Sequence, residues 1–176
     1  MKFLRRLFAW LVLLGLGFWL WSALFPGPEK VIRKQLNRVA RTVSFTANEG
    51  LLTRAAKLAE FEAYFSSDVQ VDLDTPVSGR QTYTGRNEVV GGAASARKFV
   101  GALQVEFLDM AVALAADKLS AIVDLTAKGK VPGEREFYVQ EMKFVLKKIN
   151  GKWLIVRVET VKTLSRGLVS EGIAGS

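Results

Sequence analysis

From residue 104 almost to the end of the chain, apolar and polar residues alternate with a period of two, the pattern of half-buried β-strands. Candidate strands cover residues 104–115, 119–131, 135–148 and 152–164. Short turn sequences separate them, and Asn150-Gly151 is the strongest of these hairpin signals. Long strands joined by short turns pair antiparallel. The second half of the chain is therefore predicted to be one antiparallel sheet with an apolar face that other elements must cover.

The residues before these strands are predicted to form three amphipathic helices, which cover the apolar face of the sheet. In residues 29–45 an apolar stripe recurs at helical spacing, at Ile32, Leu36, Val39 and Val43. A capping box at residues 46–49 predicts a second helix with inward positions Leu51, Ala55, Leu58, Phe61 and Phe65. A strand at residues 69–74 and a turn at 75–80 follow. Asn87 is predicted to cap the third helix, which carries Val89, Ala93, Ala96, Val100 and Leu103 inward. The fold class is therefore α+β.

Residues 7–25 contain no charged residue and match the hydrocarbon thickness of a bilayer as a helix of about 28 Å. Trp10 near one end and Trp19 near the other suit the two interfaces. We expect a transmembrane anchor here. A cleaved signal peptide is the alternative, but its apolar region is usually shorter, and cleavage after Ala23 would place Trp21 at the −3 position. No cysteine follows the run, which excludes a lipoprotein.

The formal charge of +8 lies on both sides of this apolar run. Lys2, Arg5 and Arg6 precede it, whereas from residue 42 onward 17 basic and 16 acidic residues nearly cancel. The basic residues predicted to meet an anionic membrane surface are Lys30, Arg33, Lys34, Arg38 and Arg41. We expect no nucleic-acid binding, because no basic stripe with interleaved aromatic residues lies outside these flanks.

The expected organisation has five parts: a cytoplasmic basic tail (residues 1–6), the anchor (7–25), a linker (26–28), a folded domain (29–164) and a flexible tail (165–176). A short basic N-terminal tail favours the cytoplasmic side of the membrane. We therefore expect a single-pass protein of the inner (cytoplasmic) membrane, with its domain periplasmic or extracellular and its partners including membrane lipids.

The chain has no cysteine and no histidine. Disulfides, thiolate chemistry and imidazole-based catalysis are therefore impossible. We expect no metal site and no cofactor.

The order of elements resembles the nuclear transport factor two-like superfamily, a cone-like fold shared with ketosteroid isomerases and SnoaL-type cyclases. The resemblance covers residues 29–164 and is clearest in Tyr83-Thr84-Gly85-Arg86 and in the hairpin at residues 147–154. It implies a cone of three helices packed on a strongly bent, mostly antiparallel sheet, which we expect to follow the N-terminal transmembrane helix predicted at residues 7–25. Members of this superfamily include enzymes, scaffolds and membrane-anchored assembly subunits of secretion machines. The Asn-Pro-x-Gly motif typical of those subunits does not occur here.

The cone implies an apolar cavity, and alternation along the strands predicts which residues face it. The predicted pocket residues are Tyr64, Leu108, Met110, Tyr138, Gln140 and Met142. An enzyme of this fold would need a carboxylate inside the cavity, and the weak candidates are Asp72, Asp74 and Asp124. We expect these three to point outward and pair with lysine or arginine. The outer face is predicted to form an interface through Phe137, Val139, Val145, Ile155 and Arg157, either with a second copy of the chain or with a membrane-complex protein.

We therefore expect a membrane-anchored, non-catalytic module that serves in assembly or ligand binding. The alternatives are a ketosteroid-isomerase-like or cyclase-like enzyme that acts on a hydrophobic small molecule, and a lipid-binding carrier.

Overall fold

The computed structural model describes residues 27–75, 79–133 and 136–168. The elements follow in the order α1 (Pro28–Val43), α2 (Leu51–Glu62), β1 (Phe65–Thr75), β2 (Gly79–Thr84), α3 (Arg86–Phe99), β3 (Gln104–Leu114), β4 (Ser120–Lys130), β5 (Glu136–Ile149) and β6 (Lys152–Leu168). The strands form one sheet in the order β2-β1-β6-β5-β4-β3. Strands β1 and β6 pair in parallel and the other neighbours pair antiparallel. The predicted α+β class and the mostly antiparallel sheet are confirmed.

The predicted anchor at residues 7–25 lies outside the described residues, as do Lys2, Arg5 and Arg6. Within the described ranges, no helix is both long enough and apolar enough to span a bilayer. The five basic residues predicted to meet a membrane surface lie on α1, and all five side chains are exposed.

Helix α1 buries the apolar stripe that its sequence predicts. Ile32 and Leu36 are fully buried and Val39 nearly so, in one cluster with Leu146 and Ile155 of the sheet. The amide nitrogen of Gln35 donates a hydrogen bond to the carbonyl of Trp153 (2.8 Å), which fixes the helix against the start of β6. Burying a large aliphatic side chain stabilises the fold by about 1.5–3 kcal/mol, so this contact is a main source of its stability.

The sheet bends at bulges in its long strands. In β3 the pairing with β4 shifts register between Leu108 and Ala111, and Asp109 between them adopts a positive φ of 50°. The pairing of β5 with β6 shifts register at three places. An extra residue in one strand bends that strand and increases its local twist. The expected strong curvature of the sheet therefore comes from these positions.

The hairpin predicted at Asn150-Gly151 is confirmed. Both residues have positive φ, 50° and 79°, as a two-residue type I′ turn requires. Asparagine tolerates this conformation and glycine adopts it without strain, so the local sequence determines where β5 ends and β6 begins. Strand β6 then continues to Leu168, four residues beyond its predicted end.

Two helix starts differ from the prediction. Helix α2 begins at Leu51 after Gly50, and no side chain caps it, so the predicted capping box is wrong. Glu49 turns inward instead and pairs with two basic residues. Helix α3 begins at Arg86 rather than after Asn87. The carboxylate of Glu88 reaches back to accept a hydrogen bond from the backbone N–H of Thr84 (2.7 Å).

Helix α2 also ends earlier than its apolar pattern predicts. It stops at Glu62, and Phe65 begins β1 with its side chain buried. The predicted inward position of Leu51 is wrong, because this side chain is 82% exposed. Phe61 is the buried residue of this helix. The helical spacing of apolar residues thus continues through Phe65, although Phe65 belongs to a strand.

The adjacent glycines Gly91 and Gly92 of α3 differ in packing: Gly92 lies against β2 and Gly91 faces open space. The same substitution at both positions therefore tests how this helix packs on β2. A Cβ atom at Gly92 would lie 2.7 Å from Cε1 of Tyr83, whereas a Cβ at Gly91 meets nothing within 4 Å. We expect Gly91→Ala to raise the free energy of unfolding by about 0.5–1 kcal/mol through helix propensity. We expect Gly92→Ala to lower the free energy of unfolding, because the Tyr83 ring must shift. Urea unfolding of both variants checks this, and equal stabilisation by both would contradict the packing described.

Candidate binding cavity

The helices and the inner face of the sheet enclose a cavity of about 470 Å³. Its walls are mainly apolar, from all three helices and from both halves of the sheet, and include Val39, Phe61, Phe65, Phe107, Met142 and Phe144. Cavities of about 300–1,000 Å³ with walls of this kind are typical small-molecule sites. The cavity therefore has the size and the walls that would suit an apolar small molecule, and its polar groups decide what else it can do.

The bulge at Asp109 determines which residues of β3 reach this cavity. Before the bulge Val105 and Phe107 line it, and after the bulge Met110 and Val112 face the same side and pack against the core. Leu108 is consequently displaced to the outer side and is 42% exposed. The predicted pocket position of Leu108 is wrong, because strict alternation was assumed across a bulge. Met110 faces inward but is not among the residues that line the cavity.

Strand β5 places its predicted residues in the cavity wall. Tyr138, Gln140 and Met142 all line the cavity, as alternation along this strand predicts. Tyr64 does not line it, because it lies in the turn between α2 and β1, and its neighbour Phe65 faces the cavity instead. The Tyr64 hydroxyl donates a hydrogen bond to a carboxylate oxygen of Glu60 (2.6 Å). Burial, followed by this bond to Glu60, raises the pKa of Tyr64.

The three candidate catalytic carboxylates lie outside the cavity. Asp72 accepts a hydrogen bond from the Thr82 hydroxyl (2.8 Å) and lies 3.6 Å from the Arg157 guanidinium. Asp124 is exposed and lies 4.0 Å from the ammonium group of Lys143. Asp74 is exposed as well. Among the described residues that line the cavity there is no aspartate or glutamate.

Polar side chains of β2 and of β5 that line the cavity make hydrogen bonds within the protein. The Tyr83 hydroxyl donates to the amide oxygen of Gln81 (2.6 Å). The amide nitrogen of Gln140 donates to the Asp74 carbonyl (2.6 Å) and to the Thr163 hydroxyl (3.2 Å). These bonds engage the Tyr83 hydroxyl, the amide oxygen of Gln81 and the amide nitrogen of Gln140 within the protein.

Arg97 of α3 is the charged residue in the described lining. Its guanidinium donates to a carboxylate oxygen of Glu49 (2.9 Å) and to the Thr42 carbonyl (3.0 Å). The guanidinium carbon also lies 4.8 Å from the centre of the Phe45 ring, a cation–π contact. The side chain is 13% exposed. A charge this well buried needs such partners, because an uncompensated buried charge is costly.

Glu49 holds two basic residues at this end of the cavity. Its side chain is 7% exposed and pairs with Arg97 and with the ammonium group of Lys57. Burial raises the pKa of Glu49, but the hydrogen bond and charge of Lys57, together with those of Arg97, hold the pKa below its usual value. Glu49 therefore stays ionised at neutral pH and cannot act there as a general acid.

The sequence analysis missed this ionic cluster. One signal was present, because Arg97 follows Val89 and Ala93 at steps of four residues and so continues the apolar stripe of α3. A charged residue on such a stripe needs a buried partner. No local pattern identifies that partner as Glu49, which lies 48 residues earlier.

The predicted interface residues are divided between the two sides of the sheet. Phe137, Val139 and Val145 are half-buried and Arg157 is exposed on the outer side. Ile155 is fully buried in the core, so its predicted place on the outer face is wrong. The register of β5 with β6 shifts beside Ile155: Leu146 pairs with Ile155, but the preceding residue Val145 pairs with Arg157. The extra residue of β6 places Ile155 on the inner face of the sheet.

Comparison with known protein families finds no match to this chain, and no curated protein matches it by sequence. Solved structures do match. A nuclear transport factor two-like protein of unknown function from Pseudomonas putida is 11% identical, with a TM-score of 0.61 over 80% of this chain and 90% of that one. A candidate scytalone dehydratase from Novosphingobium aromaticivorans is 14% identical, with a TM-score of 0.59 over 79% of this chain and 85% of that one.

A domain of unknown function with a cystatin-like fold from Nostoc punctiforme is 16% identical, with a TM-score of 0.62 over 80% of both chains. At these identities the likeness concerns the fold alone. The fold is thus the nuclear transport factor two-like cone, a curved mixed sheet with three helices, as the order of elements predicts. This fold serves enzymes as well as binding proteins, so the site must decide the function.

The ionic cluster predicts a specific dependence of stability on pH. The pKa of Glu49 is lowered by folding, so its contribution is complete above about pH 4.5, the usual value, and is lost as pH falls through the lowered pKa. We expect Glu49→Gln to lower the free energy of unfolding at neutral pH by about 1–3 kcal/mol, because Arg97 then lacks its counter-charge. This difference from wild type should shrink at acid pH.

Glu62→Gln is the matched control, since Glu62 lies exposed at the end of α2. Denaturant unfolding across the acid range measures both variants. A Glu49→Gln effect that is independent of pH would show that the carboxylate charge does not hold Arg97.

Proposed function

We propose that this protein is a non-catalytic binding module that holds a hydrophobic small molecule in the cavity of its cone. The observation that carries the proposal is the cavity of about 470 Å³ with mainly apolar walls and hydrogen-bonded polar groups. Filling such a space with an apolar molecule removes apolar wall and ligand surface from water, at about 25 cal/mol per Å².

The charge balance of the lining favours an uncharged or weakly polar ligand. Arg97 is the cation at the cavity, and Glu49 neutralises it at 2.9 Å. An anionic ligand would have to displace Glu49 or enter beside a carboxylate, and both would weaken binding. The amide groups of Gln81 and Gln140 provide neutral hydrogen-bonding partners that suit a carbonyl or hydroxyl group.

An enzyme of the isomerase, cyclase or dehydratase kind is the second candidate, and the tyrosines of the cavity favour it. Tyr83 and Tyr138 both line the cavity, and a phenol can donate a hydrogen bond to a substrate oxygen. The fold likeness to a candidate scytalone dehydratase adds weak support. Proton abstraction would still need a base at the cavity, and the described candidates Asp72, Asp74 and Asp124 lie outside it.

We also propose that residues 7–25 anchor the protein in the inner membrane, with the domain on the periplasmic or extracellular side. The uncharged run and its basic flanks support this proposal. The outer sheet face, with Phe137, Val139 and Val145 half-buried, is proposed as the interface with a second copy or with a protein of a membrane complex.

The binding proposal predicts that filling the cavity expels its ligand. Ala127 lines the cavity from β4, so Ala127→Phe should occupy the space beside Phe107. Ala113 is exposed on β3, so Ala113→Phe is a control with the same change of side chain. The full chain with each substitution is purified from its own host, and the small molecules released on denaturation are measured by mass spectrometry.

We expect a molecule of defined mass from wild type and from the control, and about tenfold less or none from Ala127→Phe. Equal amounts from the two variants, or no bound molecule in wild type, would overturn the proposal. Conversion of the bound molecule by wild type, with loss of conversion in Tyr83→Phe or Tyr138→Phe, would favour the enzyme instead.

A further inference from the structure

The most exposed large apolar side chains of the described residues occur at one end of the domain. Leu51, Leu52 and Phe99 are 82%, 88% and 87% exposed. The next values, 55% at Val161 and 54% at Leu119, are much lower. Single exposed apolar residues are ordinary on a protein surface, but several almost fully exposed at one place need an explanation.

Two contacts hold the segments that carry these side chains together. Phe45 and Leu103 exchange both backbone hydrogen bonds (2.8 and 2.9 Å), and Glu49 pairs with Arg97. Leu51 follows Glu49 by two residues, and Phe99 follows Arg97 by two. The three apolar side chains therefore lie at the same end of the domain, which we call the tip: residues 44–54 together with residues 97–103.

The exposed charges of the tip are basic. Arg54 and Lys98 are both exposed and lie within three residues of the apolar side chains. The acid of the tip, Glu49, is buried between Lys57 and Arg97. Glu106 at the start of β3 lies outside the tip and opposite Lys128 in the register of β3 with β4. Exposed apolar side chains beside unpaired basic ones match the interface of an anionic bilayer, where apolar groups enter the acyl region and cations meet the headgroups.

We propose that the tip is a membrane-docking surface that inserts Leu51, Leu52 and Phe99 into a bilayer with anionic lipids. The charges favour this partner, because both exposed charged residues of the tip, Arg54 and Lys98, are basic and complement anionic headgroups. The docking depends on neither the predicted anchor nor a filled cavity.

Docking has one consequence that does rest on the proposed function. Phe45, Arg97 and Leu103 belong to the tip and also line the cavity. A tip seated in the bilayer would therefore place one wall of the cavity beside the acyl chains. A hydrophobic ligand could then pass between bilayer and cavity with little exposure to water.

The lack of cysteine makes a direct test practical, since any introduced cysteine is the one site of labelling. Leu52→Cys and Phe99→Cys are each labelled with nitrobenzoxadiazole in the full chain, which is reconstituted into vesicles of phosphatidylcholine and phosphatidylglycerol in equal parts. Leu119→Cys is the matched control, because Leu119 is an exposed leucine in the turn between β3 and β4, at the opposite end of the sheet from Leu103. This readout reports the tip itself, whatever else attaches the chain to the vesicle.

We expect a blue shift, and quenching by spin-labelled lipid, at positions 52 and 99 and neither at position 119. In the Leu52→Cys chain, Arg54→Ala or Lys98→Ala should shift the docking equilibrium about fivefold toward the undocked state, equivalent to about 1 kcal/mol per basic residue. Equal signals at positions 52 and 119, or protection of position 52 only when a second protein is added, would overturn the proposal. If the tip does not dock but a ligand is still bound, the docking proposal fails and the proposed binding function stands. If the tip docks but no ligand is bound, the proposed binding function fails and the docking proposal stands.

Discussion

The cavity depends on the bulges that bend the long strands, because a straight sheet would leave no enclosed space beneath the helices. The break at Asp109 is the clearest example. It turns Val105 and Phe107 toward the cavity, and it turns Met110 and Val112 toward the same side after the shift in register. Without the extra residue, one of these two pairs would face water. A single residue with positive φ therefore gives both halves of β3 an apolar inner side.

A second constraint is the buried charge at the end of the cavity. Arg97 lies on the inner side of α3 after Gly92, Ala93 and Ala96, so its long side chain extends beside residues that have little or no side chain of their own. The charge is tolerated because Glu49, Thr42 and Phe45 surround it. The contacts of Arg97 with Glu49 and Phe45 also connect the loop after α1 to the end of α3. One cluster thus lines the end of the cavity and neutralises its charge, and this neutralisation is the basis for the proposed preference for an uncharged ligand over an anion.

Much of this fold could be predicted from periodicity. The stripe of α1, the alternation of β5 and the Asn150-Gly151 turn all depend on local pattern, and the structure agrees with each of them. The errors occurred where tertiary contacts override local pattern. Leu108 and Ile155 changed sides because register shifts are invisible to strict alternation. Glu49 looked like a capping residue because its spacing from Thr46 is correct, but the charges of Lys57 and Arg97 attract its carboxylate more strongly than an exposed backbone N–H does.

The exposure of Leu51 and Leu52 is connected with the absence of a capping box at the start of α2. Had the capping box formed, the helix would have begun before Leu51 and its first turn would have been available to turn this side chain inward. Glu49 is instead committed to Arg97 and Lys57, so the helix begins at Leu51 with Leu51 and Leu52 directed outward. The ion pairs that neutralise Arg97 at the cavity are therefore also the contacts that leave Leu51 and Leu52 in water. Water is a poor environment for them, and the basic residues beside them favour an anionic bilayer surface as the place where both are stabilised.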